Sequence, residues 1–232
     1  VIMVWFVQKE LTSPVRLLPK NSLRLSSALL ALYLTMGLLV LGMTSETFVP
    51  YFLQVLHEQS PLVYGYLAAL MAAGWTLAEI WSSGWKGRGI RMAIINGPLL
   101  VLAGMLVLAV SVPLHAQGDW TVLGFICVGL LLVGFGIGLG WPHMLTRILQ
   151  AAPAGEENAA ATSITTVQLF ATALGSALAG MLANAGGLNV PGGVAGASSA
   201  AAWLFWVLAA APLFAVFSAV QVSSVLKKEQ EV

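Results

Sequence analysis

Two carboxylates stand where carboxylates are rarely tolerated. Glu46 and Glu79 fall inside long apolar stretches, and an ionisable group in such surroundings needs a partner or a task. Helical spacing puts Glu46 on one face with Thr35, Leu39, Gly42, Met43 and Pro50. In a low-dielectric cavity, a proton and a cation would compete for such an acid, which is the chemistry of exchange. The plainer reading, an acid at a wet mouth with no further role, stays open. Glu79 lies about one turn from the end of its stretch, close to Lys86 and Arg88. An ion pair with either would account for it; a contact formed in only one state of the molecule is the alternative.

Other polar and polarizable groups extend the set. His143 and Arg147 are one helical turn apart, a spacing suited to a gate or proton relay, or simply to marking a membrane surface. Gln168, with Thr165 and Thr166 beside it, can hydrogen-bond a ligand or a neighbouring helix. Met43, Trp75 and Trp141 offer an adaptable apolar wall for a greasy molecule. Trp81, Trp85, Trp120 and Trp203 fit the role of interfacial anchors. There is one cysteine, Cys127, and there is no Ser/His/Asp triad, no histidine cluster at metal spacing and no Walker motif. We therefore expect neither an enzyme nor an ATP-driven pump, and neither a metal nor a cofactor.

The stretch GFGIGLGWPH, from Gly134 to His143, poses a separate question. A dinucleotide fingerprint requires G-x-G-x-x-G after a strand, but position 139 is Leu and the glycines close a long uncharged run. On a helix, Gly134 and Gly138 make one stripe. Gly136 and Gly140, with Gly129 earlier, make a second one far around the same helix. Small residues at this spacing let helices pack closely in lipid, so this helix is expected to be approached from two sides and, with Pro142, to bend. A fifth stretch repeats the device with Ala171, Gly175 and Ala179, beside Ser176 and Gly180.

The elements that position these groups follow from composition. Of 232 residues, 59% are hydrophobic and 8% charged, proportions foreign to a water-soluble domain. Six apolar stretches reach the length needed to cross a bilayer: Ser26–Phe48, Leu62–Ser82, Met92–Val112, Thr121–Trp141, Ala159–Ala183 and Ala200–Val222. We expect an all-α membrane protein, a bundle of six transmembrane helices over residues 26–222, preceded by residues 1–25 and followed by a tail at 223–232. Net charge is +1, which gives no pull toward nucleic acid. Placement of charge is more telling. With six crossings, Lys9, Arg16, Lys20, Arg24, Lys86, Arg88, Arg91, Arg147, Lys227 and Lys228 all fall on one side, and the opposite loops contain no Lys or Arg. The positive-inside rule then places both termini of this chain in the cytoplasm. The apolar run Val1–Val7 reads as the end of a preceding span or as a short interfacial helix, and residues 8–25 as a basic cytoplasmic linker.

Residues 50–65, PYFLQVLHEQSPLVYG, resemble the drug/proton antiporter branch of the major facilitator superfamily, in which a span ends in P-L-Y-L-Q and the next opens with S-P-x-x-x-G. Pro50, Leu53, Gln54, Ser60, Pro61 and Gly65 fall in register, with Glu58 replacing a frequent glycine. The upstream SPVRLLPKNSLRL is similar to that family's linker, and the glycine-rich run followed by Pro142, Arg147 and Pro153 is similar to its glycine-rich tenth or equivalent span. SSGWKGRGIR, Ser82–Arg91, departs from the family's G-x-L-x-D-R-x-G-x-R. Gly89 and Arg91 match, but Lys86 stands in place of the acid and Gly87 in place of the first Arg.

The resemblance implies the C-terminal six-helix half of a two-bundle transporter, built from two inverted three-helix repeats and partnered by a missing N-terminal helical bundle and the lipid bilayer. Substrate would bind near midplane between the bundles. The first and fourth spans would line the cavity, the second and fifth would form the bundle interface, and the third and sixth would face lipid. The expected function is proton-coupled efflux of amphiphilic small molecules across a bacterial inner membrane, with protons and a small-molecule substrate as ligands. An importer or facilitator of a small solute, and a six-span scaffold that transports nothing, are the alternatives.

Overall fold

The computed structural model describes residues 18, 19, 22 and 27–230. The expected end of a preceding span and the linker cations Lys9, Arg16, Lys20 and Arg24 lie outside the described residues. Among those described, all regular structure is helical. Six segments are long and apolar enough to cross a membrane: Ala28–His57, Pro61–Ser82, Arg88–Ser111, Trp120–Gln150, Glu157–Ala185 and Gly193–Val222, called here the first to sixth spans. Backbone groups in hydrocarbon must be satisfied within the chain, and helices of this length do so. The chain is thus an all-α, integral multi-pass membrane protein.

Local chemistry sets the boundaries. Ser27 caps the first span by accepting from the Leu29 amide at 3.2 Å, and Ser60 caps the second with Pro61 at its first position, where a missing N–H is harmless. Asp119 caps the fourth, accepting from Thr121 N at 2.7 Å and Val122 N at 3.2 Å. Those amides, Val122 first and then Thr121, hold its carboxyl below its usual range. Gly187 at φ +103 and Gly192 at φ +71 make the turn between the fifth and sixth spans, a conformation for which glycine is the natural residue.

The two end spans differ most from expectation. The first does not stop at Phe48. It runs as an α-helix over Ala28–Met43, tightens to a 3-10 turn over Thr44–Phe48 and resumes as an α-helix over Val49–His57. Pro50 reads in sequence as a terminator, yet it sits in the first turn of the resumed helix, where proline is well tolerated. The sixth span begins at Gly193 rather than Ala200, because the Gly/Ala/Ser-rich stretch expected as loop is helical. It is interrupted at Ala209, and a second helix continues over Ala210–Gln230, through the expected tail. The fourth span continues past Trp141 to Gln150 as one helix with Pro142 inside it.

The fourth span is the hub of one half of the bundle. On one side Gly134 and Gly138 meet the second span so closely that a Cβ on either would overlap the backbone carbonyl of Met71 or Trp75. Gly74 answers from the second span: its Cβ would fall 2.6 Å from the Leu131 carbonyl. On the other side Gly136 faces Gly97 of the third span, with a Cβ at 2.6 Å from the Gly97 carbonyl, and Gly104 faces Gly129 at 2.7 Å from its carbonyl. Gly140 makes a looser contact, 3.3 Å from Ala93 O. The two stripes therefore serve two different neighbours, the geometry of small-residue packing in membranes. The other half joins the first span to the sixth through the Ser218 hydroxyl, which donates to Ala31 O at 2.7 Å, and to the fifth through a Tyr33–Ser163 hydroxyl pair.

The ends differ chemically. Lys86, Arg88, Arg91 and Arg147 occur at one end. At the other, His57 Nε2 donates to Val112 O at 3.1 Å and Ser198 Oγ to Pro113 O at 2.6 Å. Those two side chains satisfy carbonyls that a helix C-terminus leaves without intrahelical partners.

Candidate functional site

The site grows out of the irregular turn in the first span. Thr44 Oγ1 donates to Leu41 O at 2.7 Å, and Ser45 Oγ donates to Gly42 O at 3.0 Å and to Met105 Sδ at 3.6 Å. Hydroxyls thus cover the carbonyls where the α-helical ladder changes pitch, which lets the interruption persist in a low-dielectric setting. A 3-10 turn has three residues per turn rather than 3.6. The face predicted by straight helical spacing is therefore split: Gly42 packs toward Pro212 of the sixth span, whereas Glu46 turns into a cavity.

That cavity has a volume of about 300 Å³ and is lined by Glu46, Thr47 and Val49 of the first span, Ala68 and Met71 of the second, and Leu130 of the fourth. Its size is at the lower end for small-molecule sites, and its character, mostly apolar with one carboxylate and one hydroxyl, fits a site that grips a greasy body and reads a charge. Among the described residues, no lysine or arginine lines it. The glycine stripe sets its width, since Gly134 seats the Met71 backbone and Leu130 lies one turn before Gly134 on the same helix. Met43 is half-buried and packs on the core beside the turn. Thr35 stays away from the cavity: it is fully buried and its hydroxyl donates to Ala31 O at 2.7 Å.

A second cluster lies nearer the basic end, between the second and fourth spans. Trp75 Nε1 donates to Glu79 Oε1 at 2.7 Å, so Glu79 has an indole partner one turn back on its own helix instead of Lys86 or Arg88. Trp75 also packs on Trp141, ring centroids 5.3 Å apart and tilted by 60°. His143 is buried, with Nε2 lacking a partner among the described residues; so does the buried Ser82 hydroxyl. Arg147 is half-buried, and Lys86, Arg88 and Arg91 are exposed. The expected wall of Trp75 and Trp141 thus forms, but with Glu79 and away from Glu46's cavity.

The fifth span carries the remaining expected groups. Gln168 is half-buried, Thr165 is exposed, and Thr166 Oγ1 donates to Thr162 O at 3.1 Å. Gly175 meets the irregular turn directly: a Cβ there would lie 2.7 Å from Thr44 Oγ1. Gly180, expected to pack, has nothing within 4 Å of a would-be Cβ; its place on the helix turns it away from every described neighbour. Sequence reasoning missed Thr47, Val49, Ala68, Met71 and Leu130, whose residue types carry no signal, and the buried His57 and Ser82.

No protein-family model matches the chain. It is similar to two curated proteins of Mycobacterium tuberculosis strains, "Probable multidrug-efflux transporter MT1670" (CDC 1551 / Oshkosh) and "Probable multidrug-efflux transporter Rv1634" (ATCC 25618 / H37Rv). Each is 34% identical over 190 residues, 81% of this chain. The chain spans 39% of the length of either relative.

Proposed function

We propose that the chain forms the C-terminal half of a secondary transporter of the major facilitator type, a proton-coupled exporter of amphiphilic small molecules, with Glu46 as the coupling carboxylate. The observation that carries this reading is Glu46 on an interrupted helix, facing a cavity otherwise lined by Thr47 and four apolar side chains and, among the described residues, by no basic one. Discontinuous helices are a recurring way to build ion and substrate sites at mid-membrane. The likeness to proteins named as multidrug-efflux transporters supports the direction and the substrate class.

The cycle follows from the acid's two states. Deprotonated, Glu46 holds a cation or the polar end of an amphiphile while Val49, Ala68, Met71 and Leu130 hold its apolar body. Protonation from the side of higher proton activity releases that charge and lets the ligand leave. One elementary charge moved across 100 mV supplies about 2.3 kcal/mol, enough for a substrate gradient of tens of fold.

Two further features support the assembly. In the second and fifth spans only 17% and 22% of the most apolar window is buried, against 50–61% in the other four. Their exposed faces, with Leu62, Tyr66 and Leu77 on one and Leu169, Phe170 and Met181 on the other, suit the interface to a second bundle. The third and sixth keep apolar outward faces for lipid, including Leu106, Val110, Phe214 and Phe217. The basic end faces the cytoplasm, where Lys86 and Arg88 would meet anionic headgroups.

The test is efflux from vesicles containing the full-length protein, with ethidium as probe. Glu46→Gln is expected to abolish efflux driven by a pH gradient while probe exchange without a gradient persists. Unchanged gradient-driven efflux in Glu46→Gln discards Glu46 as the coupling group.

A further inference from the structure

The two interruptions in the end spans lie against each other. In the first span it is the 3-10 turn Thr44–Phe48. In the sixth it is the break at Ala209, where Pro212 supplies no N–H to the Leu208 carbonyl one turn earlier. A Cβ on Gly42 would stand 3.1 Å from Pro212 Cδ and 3.7 Å from both Leu208 O and Ala211 Cβ. Neither helix therefore carries an unbroken ladder through this level, and the side chain that would wedge them apart is missing.

Above and below this level the half-helices are joined in pairs. On the basic side, Ala28–Met43 is bonded to Ala210–Gln230 through Ser218 Oγ and Ala31 O. On the opposite side, Val49–His57 meets Gly193–Leu208 through the buried rings of Phe52 and Phe205, centroids 6.4 Å apart. His57 and Ser198 also bond the same two half-helices to the Val112 and Pro113 carbonyls just beyond the third span, two contacts that must exchange when the body moves. The second and fourth spans, locked backbone to backbone by Gly74, Gly134 and Gly138, lie across the cavity from the irregular turn.

We propose that residues 44–48 and 209–212 form one coupled hinge, about which Val49–His57 and Gly193–Leu208 swing as a single body, carrying Val49 relative to Ala68, Met71 and Leu130. Motion of that body widens or closes the Glu46 cavity toward the end that lacks basic residues. Hinges are a few element-terminal residues that absorb the backbone change, and here two such sets share one plane. Use of the hinge as a gate rests on the transport reading; the hinge itself does not.

The experiment measures distances, not transport, so its failure is distinct from failure of that reading. In the full-length protein with Cys127→Ala, held in lipid nanodiscs, spin labels are placed on positions that the other spans of this half leave uncovered, by Tyr51→Cys with Trp206→Cys, both on the swinging body, and by Tyr51→Cys with Tyr66→Cys, across the cavity. Distances are read by pulsed electron resonance in acidic and alkaline buffer, with and without tetraphenylphosphonium. We expect the Tyr51–Trp206 distance to hold and the Tyr51–Tyr66 distance to shift by several ångström between conditions. Pro212→Ala, which restores an N–H to the ladder, is expected to narrow the second distribution. A Tyr51–Trp206 distance that shifts as much as the other, a Tyr51–Tyr66 distance fixed in every condition, or a distribution untouched by Pro212→Ala would each overturn the coupled hinge.

Discussion

The clearest residue-scale effects come from single donors and acceptors whose partners are fixed. Trp75 gives its only side-chain N–H to Glu79, so Trp75→Phe keeps an aromatic ring against Trp141 and removes one charge-assisted bond. For a half-buried carboxylate that bond contributes about 1 kcal/mol after screening. Thermal unfolding of the purified protein should show a small decrease in midpoint, and Glu79→Gln, which retains an acceptor oxygen, a smaller one. Asp119 behaves differently because it is exposed and held by two backbone amides. Its folded pKa lies below the unfolded one, so its contribution is complete above the ordinary carboxylate range and is lost as pH falls through the depressed folded value. Protection of the Thr121 and Val122 amides, corrected for intrinsic exchange, should therefore survive mild acid and disappear in strong acid. Asp119→Ala should remove it at every pH.

At the scale of the helix, glycine is not one kind of position. Gly134→Ala drives a methyl into the Met71 carbonyl, where neither backbone can yield without parting the second and fourth spans. Overpacking of this kind destabilises by about 1–3 kcal/mol, and because Met71 lines the cavity, ligand binding should weaken as well. Gly180→Ala meets open space and should be neutral or stabilising by up to about 1 kcal/mol through helix propensity. Thermal midpoints of the two variants, measured side by side in one detergent, should move in opposite directions or one alone should fall.

The glycine spacing was legible in the sequence because only packing explains two stripes on an uncharged helix. Gly180 meets no described neighbour, because the pattern fixes a face of the helix but not what covers it. The interruption in the first span was hidden for a related reason: Pro50 marks a boundary, and nothing local says whether the chain turns away there or begins another helix on the same axis. The cavity was half legible. Glu46 announced itself as an acid in an apolar run, whereas Ala68 and Leu130 are defined only by where packing brings them.

On the scale of the whole molecule, alternation of six spans with all basic residues on one face gave an architecture with few alternatives, and the six helices bear out the count. Orientation in the membrane can be tested independently of function. A membrane-impermeant amine reagent applied to intact cells should leave Lys86 unmodified and should modify it once the membrane is opened; modification from outside would reverse the proposed topology. Burial falls to 17% and 22% in two of the six spans, and these two are also the least hydropathic of the six.

The fourth span meets the second through Gly134 and Gly138 at the distance of bare main chain, and the third through Gly136 against the Gly97 carbonyl and Gly129 against the Leu108 side chain. Ordinary interfaces take up small displacements by switching rotamers, but where Gly134 and Gly138 meet the Met71 and Trp75 backbone there is no side chain to switch. A nudge on the second helix is therefore passed straight to the fourth, as through a rigid coupling with no play in its joint.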